Sequence, residues 1–134
     1  MTVQERVLIA GAGPVGLVAA TNLVRHGLPV TVFEAGPTLG DESRASTFHP
    51  PTLDMLDDLG VAQALIDQGL VAPRFQYRTR PDGLIAQFDF AAIRDATRHP
   101  FRLQCEQFKL TRILLDRLRG DPNFTLNFHL RLVV

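Results

Sequence analysis

The chain has 134 residues, and its 14 basic and 14 acidic residues cancel. That length is enough for one domain with a buried core, and charge so balanced, with no long run of one sign, argues against a nucleic-acid or anionic-membrane surface. A single cysteine, Cys105, rules out an intrachain disulfide and suits a reducing compartment, and no apolar run reaches the length of a membrane span.

The first predicted strand is the short apolar run Val7–Ala10, of the kind expected where a strand is buried on both faces. It begins so close to Met1 that no secretory leader is expected, and the chain reads as cytoplasmic. A glycine turn follows, Gly11-Ala12-Gly13-Pro14-Val15-Gly16, and opens a helix over about 14–26. Leu17, Ala20, Leu23 and Val24 form its buried stripe and Gly27 its C-terminal cap. Val30-Thr31-Val32-Phe33 then gives a second strand ending in Glu34. Strand, turn, helix and strand together take the roughly 30 residues of a parallel βαβ unit.

In such a unit each glycine has its own task. Gly11 permits the tight turn, Gly13 lets a pyrophosphate approach the backbone, and Gly16 lets the helix pack closely on the strand. The helix start presents unpaired N–H groups and the positive end of its dipole to those phosphates. Pro14 suits that first turn, because the N–H it lacks has no intrahelical partner. Glu34 stands where an acid accepts hydrogen bonds from a ribose 2′-hydroxyl, and its charge argues against a 2′-phosphate at this site. The spacing points to a dinucleotide and leaves FAD and NAD open.

From Gly36 to Pro51 the chain is a Gly-, Pro-, Ser- and Thr-rich connection. Helices are expected over about 52–59, stopping at Gly60, and over about 61–68, stopping at Gly69. Phe75, Tyr77 and Thr79, then Leu84, Ala86, Phe88 and Phe90, alternate with polar residues around Pro81-Asp82-Gly83. That is a hairpin with one wet face, carrying Arg74, Arg78 and Arg80, and it is expected in a second, antiparallel layer. Gln107 to Leu118 reads as a helix with Leu110, Ile113, Leu114 and Leu118 on one side. The strongest strand pattern is the last, with Phe124, Leu126, Phe128, Leu130 and Leu132 alternating with polar residues and running into Val133-Val134. A strand without a terminating turn reads as one still needing neighbours, so the expectation is the opening piece of a longer protein.

No metal or nucleophile motif emerges. His26, His49, His99 and His129 lack ligand spacing, and there is no G-x-S-x-G elbow. Asp54, Asp57 and Asp58 are expected as solvated residues on a helix surface, and Cys105 as an inert, partly buried thiol.

Several of these segments together carry a resemblance: Val7 to Glu34, Arg44-Ala45, Pro51-Thr52-Leu53-Asp54-Met55-Leu56, Leu59-Gly60, and Gln107 with Leu110 and Leu114. They resemble the N-terminal half of the single-component FAD-dependent aromatic hydroxylases, the group A flavoprotein monooxygenases related to 4-hydroxybenzoate and phenol hydroxylases. The Arg-Ala and Thr-Leu-Asp segments favour FAD over NAD. The resemblance implies an incomplete α/β domain: a Rossmann-like FAD/NAD(P)-binding fold with a parallel sheet and helices, the start of an antiparallel layer, and a hairpin insertion at about 74–90. It also implies FAD as cofactor, NAD(P)H as electron donor, O2 as co-substrate and an aromatic, often phenolic, substrate for the parent enzyme.

By the same resemblance Gly11, Gly13, Pro14, Val15 and Gly16 would line the pyrophosphate and Glu34 would hold the adenosine ribose. Arg44 would reach the pyrophosphate–ribityl stretch, its guanidinium fork complementing phosphate charge. Gln107 would contact the flavin's sugar-alcohol chain, with Gln104 the candidate if the helix begins earlier. No catalytic residue and no metal ligand is expected in this stretch. Two departures stand out: Pro51 replaces a basic residue frequent in the family, and the family's Asp-Gly and Gly-Asp signatures do not occur. Alternatives are another FAD- or NAD-dependent oxidoreductase, or a truncated dinucleotide-binding fragment without turnover. Arg44 has an alternative too, pairing with Asp41 or Glu42 in a surface loop, and Gln107 that of capping its helix.

Overall fold

A computed structural model describes residues 5–133. The chain divides into two compact units, one of Met1–Arg44 with Gln107–Val134 and the other of Ala45–Glu106.

The first unit contains β1 (Val7–Ala10), α1 (Pro14–Arg25), β2 (Val30–Phe33), α4 (Gln107–Leu118) and β8 (Phe124–Asn127). Its three strands form a parallel sheet in the order β1-β2-β8. Val30 of β2 pairs with Val7 on one side and Phe124 on the other, and the ladder runs to Phe33, opposite Ala10 and Asn127. α1 and α4 pack against each other. Leu17, Ala20 and Val24 of α1 and Leu110, Leu114, Leu115 and Leu118 of α4 are buried, as are Val30 and Val32. Each fully buried leucine or valine contributes about 2 kcal/mol by leaving water. Gly27, at φ 76°, turns the chain out of α1.

Two expectations for this sheet need correction. β1 is not buried on both faces of the sheet in this chain: Val7 is 38% and Leu8 63% exposed, and β1 is the edge strand where β2 has a neighbour on each side. The last strand is also shorter than its alternation suggests, ending at Asn127 instead of running past Leu132, and Val134 lies outside the described residues. β2 ends at Phe33, so later residues have no ladder partner. His129 instead takes a left-handed conformation (φ 60°) and donates its N–H to the Gly36 carbonyl (3.1 Å). The Leu130 N–H donates to the Glu34 carbonyl (3.0 Å), so the chain crosses the end of β2. At the other end of the sheet Arg6 acts as a staple. Its Nε donates to the Thr31 hydroxyl (3.0 Å), and one terminal nitrogen donates to the carbonyls of Val30 (2.8 Å) and Asn123 (3.2 Å).

The second unit contains β3 (Thr47–Phe48), α2 (Pro50–Asp58), α3 (Ala62–Ile66), β4 (Leu70–Ala72), β5 (Arg74–Thr79), β6 (Gly83–Asp89), a 3-10 turn at Phe90–Ile93, and β7 (Arg102–Gln104). β7 lies between β3 and β4, antiparallel to both. Both helices fall where leucine spacing places them, although α2 begins at Pro50, before Thr52, and α3 is shorter than 61–68. A proline at N1 or N2 costs no hydrogen bond, which explains the earlier start. Phe48, Leu53, Leu56, Val61, Ala62, Leu65, Leu103 and Cys105 are buried in this unit.

The hairpin β5–β6 forms as expected, with a bulge: Tyr77 pairs with Ala86 and Arg78 with Leu84, leaving Ile85 unopposed. Its apolar face is only partly covered, with Tyr77 60% and Phe88 48% exposed. The rings substitute for a core by packing on one another, Phe75 stacking on Phe88 at 4.8 Å and Tyr77 meeting Phe88 edge-on at 6.1 Å.

Asp54 also differs from expectation. It is a half-buried clamp and not simply a solvated acid. One carboxylate oxygen accepts the Thr97 hydroxyl (2.7 Å), and the other lies 2.7 Å from His99 Nδ1. Arg98 donates to the Asp54 carbonyl and to the Asp58 carboxylate, both at 2.7 Å. The His99 and Thr97 hydrogen bonds hold the Asp54 carboxyl below its ordinary pKa.

Candidate functional site

The site in the first unit is made mostly of main chain. As β1 ends, Gly11 takes φ 96°, a conformation that favours glycine, and its N–H donates to the Phe33 carbonyl (2.7 Å). The turn thereby stays tied to β2 while swinging the backbone into α1. Gly13 is the N-cap, with extended backbone and no side-chain cap, and the Leu17 N–H closes the first helical bond to its carbonyl (3.0 Å). Val15 and Gly16, following Pro14, present N–H groups with no acceptor inside the helix.

The three glycines do different work. A Cβ on Gly16 would lie 2.1 Å from the Gly11 carbonyl oxygen and 3.3 Å from a side-chain methyl of Ile9, so helix and strand touch here only because the side chain is absent. A Cβ on Gly13 would meet nothing within 4 Å. Gly13 therefore leaves an open approach to the helix start, which no described residue fills.

That approach opens into a crevice of about 200 Å³. Ala12, Gly13 and Pro14 form its floor, Glu34 and Arg44 stand on its walls, and Gln107 closes it from the first turn of α4. Five predicted cofactor residues thus meet in one place: Gly13, Pro14, Glu34, Arg44 and Gln107. Gly11 and Gly16 shape the turn without lining the crevice. Val15 points its side chain outward, 84% exposed, and could contribute only its backbone. Gln104 is on β7, where its amide oxygen accepts the Thr47 hydroxyl (3.0 Å), since α4 starts at Gln107 and no earlier.

Glu34 is the best-held side chain of the site. One carboxylate oxygen accepts the Ala12 N–H (2.8 Å) and the other the Gly36 N–H (2.9 Å). Those bonds, Gly36 first and then Ala12, hold its pKa below the ordinary 4.5 against the opposing effect of burial. It is therefore a carboxylate at neutral pH. Each oxygen has a further lone pair, so the acid can accept a hydroxyl without surrendering the backbone. Arg44 is less fixed. Its Nε and one terminal nitrogen both hold Glu42 (3.1 and 2.9 Å), with the two side chains 82% and 72% exposed. A pair so open contributes about 0–1 kcal/mol, so the guanidinium can be drawn to a phosphate at little cost.

Sequence reasoning missed Gly40, Phe108 and Thr111, which also line the crevice. Thr111 is four residues after Gln107 and so on the same helical face. Its hydroxyl is spent on the Phe108 carbonyl (2.7 Å). The Phe108 ring has the Arg112 guanidinium over it, 4.7 Å from its centroid. Helical spacing could have indicated Thr111, whereas nothing in the sequence distinguishes Phe108 from a core aromatic.

The crevice brings together helix-start amides, a carboxylate and an exposed guanidinium. Whole-ligand pockets run to roughly 300–1,000 Å³, so its volume suits part of a dinucleotide. No described helix is long and apolar enough to cross a membrane.

Comparison with known proteins identifies the family. Para-nitrophenol 4-monooxygenase of Pseudomonas sp. (strain WBC-3) is 32% identical over 131 residues, covering 98% of this chain and 32% of that protein. The 6-hydroxy-3-succinoylpyridine 3-monooxygenase of Pseudomonas putida (strain DSM 28022 / S16) is 34% identical over 128 residues, covering 96% of this chain and 33% of that protein. The crystal structure of p-nitrophenol 4-monooxygenase from Pseudomonas putida DLL-E4 superposes with a TM-score of 0.88 at 31% identity, covering 93% of this chain and 32% of that one. The chain thus spans about a third of the length of the curated relatives it matches. The family described as FAD binding domain matches residues 4–134, nearly the whole sequence, and the chain belongs to that family.

Proposed function

We propose that the crevice between the glycine turn, Glu34 and α4 receives the diphosphate and adenosine ribose of FAD. The whole protein would be a flavin-dependent monooxygenase that uses NAD(P)H and O2 to hydroxylate an aromatic, phenolic ring. The observation that carries this is the open Cβ position of Gly13 at an uncapped, Pro-led helix start, with a charged acid held beside it. Unpaired amides and the helix dipole stabilise a diphosphate there. Glu34 accepts ribose hydroxyls, and its charge disfavours a 2′-phosphate. Arg44 exchanges Glu42 for phosphate oxygens, and Gln107 meets the sugar-alcohol chain. Bound FAD supplies the redox and oxygen chemistry, while these residues bind and orient it.

The substrate class rests on the relatives. Both curated names denote a monooxygenase and a hydroxyl-bearing aromatic ring. A cytoplasmic setting fits a nicotinamide electron donor and the lone cysteine. The test is to purify the whole protein, measure its FAD content, and follow NAD(P)H oxidation and O2 uptake with a panel of phenols. Stoichiometric FAD with phenol-dependent O2 uptake is expected. Colourless protein that takes up no FAD overturns the cofactor reading, and yellow protein that consumes no O2 with any phenol overturns the substrate reading alone.

A further inference from the structure

Among the described residues that line the crevice, Phe108 is the one aromatic ring, set beside Gln107 and facing a space walled by Glu34 and Arg44. A ring is an odd wall for a diphosphate. The face of an aromatic ring is electronegative, and phosphate oxygens are not drawn to it. Thr111, one turn on from Gln107, does not soften this wall with its proton, because its hydroxyl donates to the Phe108 carbonyl (2.7 Å).

What changes the character of the ring is Arg112. α4 carries the two residues four positions apart and so on one face of the helix. The Arg112 guanidinium carbon lies 4.7 Å from the Phe108 centroid, within the roughly 6 Å over which a cation and a ring attract. Arg112 itself does not line the crevice. It lines a separate groove with Leu39, Asp41, Asp116 and Phe128, where Asp116 pairs with Arg119 at 3.5 Å. Its charge therefore acts on the crevice by way of the ring. The contrast with Arg44 is in what holds each cation. A carboxylate, Glu42, holds Arg44 and cancels its charge, whereas a ring holds Arg112 and leaves its charge in place.

We propose that Arg112 is a positioning residue for the FAD diphosphate, stacked on Phe108 so that ring and guanidinium together form an electropositive wall; this rests on the reading of the crevice as the diphosphate site. Arg44 must leave Glu42 to reach a phosphate. Arg112 needs no rearrangement, so it supplies a standing field where Arg44 supplies a contact.

The test is titration of FAD into the whole apoprotein and its variants at several salt concentrations. Arg112→Gln is expected to weaken FAD by about threefold to fivefold at low salt while the urea midpoint hardly moves. That loss shrinks as salt is added, because the charge acts at a distance. Arg112→Lys keeps most of the affinity, and Arg119→Gln, which removes the same charge farther along the chain, leaves it unchanged. In a Phe108→Leu background Arg112→Gln has little further effect, since the two residues act as one unit. Arg112→Gln binding FAD like wild type overturns the proposal, as does a loss indifferent to salt or one that Arg112→Lys does not restore. Arg119→Gln losing as much shows general charge attraction, and an undiminished Arg112→Gln loss in the Phe108→Leu background shows action without the ring; either overturns it. If Phe108→Leu does not fold, the Arg112 and Arg119 series decides alone. Wild-type protein that takes up no FAD overturns the cofactor reading and this proposal together, whereas tight wild-type binding unmoved by Arg112→Gln overturns this proposal alone.

Discussion

The two units build their surfaces from different material. Around the glycine turn, the contacts that matter are backbone to backbone, as with the Gly11 N–H on the Phe33 carbonyl, or backbone to a single acid, as with Ala12 on Glu34. In the Ala45–Glu106 unit they run between side chains: the Asp54 clamp on Thr97 and His99, and the ring ladder of Phe75, Tyr77 and Phe88. A surface made of backbone depends on atoms that are absent and tolerates no addition. A surface made of side chains depends on many small terms, so one truncation removes only a share of it.

The sharpest way to break that contrast is Gly16→Ala. Its Cβ would sit 2.1 Å from a backbone oxygen, which cannot turn aside as a side chain would. A cost of about 3 kcal/mol, at the upper end of overpacking penalties, is expected as a drop in the urea midpoint, with FAD binding lost. Near-normal stability would show that the helix can slide and that the close approach is not essential. Gly13→Ala separates folding from binding. Its new methyl meets no protein atom, so the urea midpoint should hardly move, while FAD affinity in the whole protein falls by about tenfold, near 1.4 kcal/mol. If both stability and affinity survive, the diphosphate does not pass over this residue.

Glu34→Gln comes next in size. The amide keeps one acceptor but turns its NH2 toward a backbone N–H, so one of the two bonds to Ala12 and Gly36 is lost together with the charge. FAD affinity is expected to fall several-fold to about tenfold. The pH dependence has a definite sign. Because the folded pKa lies below the ordinary 4.5, the contribution of Glu34 is fully present above 4.5 and is lost as pH falls through the lower folded value. The difference between wild type and Glu34→Gln in FAD titrations should therefore be constant around neutrality and close in acid. A gap that persists in acid would mean the substitution acts through shape rather than charge.

The same contrast explains what could be read in the sequence. Gly11, Gly13, Pro14 and Gly16 announce themselves because a missing side chain or a missing N–H is a property of the residue alone. α4 was legible to its last residue because Leu110, Leu114 and Leu118 repeat at helical spacing. β3, β4 and β7 have two or three residues each, too few for alternation to register. The Asp54 clamp joins residues more than 40 positions apart, which no local pattern encodes. At β8 the alternation misled: Phe128, Leu130 and Leu132 keep the strand period, but strand structure needs a neighbour and β2 stops at Phe33. Phe108 entered the crevice unannounced because a helical aromatic looks the same to sequence whether it faces core or ligand.

The smallest expected effect tests the side-chain half of the comparison. Asp54→Asn leaves an acceptor for either Thr97 or His99 and gives up the charge that faces His99 and Arg98. With Arg98 also shared by Asp57 and Asp58, part of the network survives, so the urea midpoint should fall by much less than for Gly16→Ala. Added salt should shrink the gap from wild type, as exposed charges are screened. The folded pKa of Asp54 lies below the ordinary 3.8, so its contribution is complete above 3.8 and disappears as pH drops through the folded value. Wild type and variant should converge in acid, while both titrate FAD alike at neutral pH. An Asp54→Asn loss as large as that of Gly16→Ala and indifferent to pH and salt would mean that this unit also hangs on one irreplaceable contact, and the distinction between the two kinds of surface would fail.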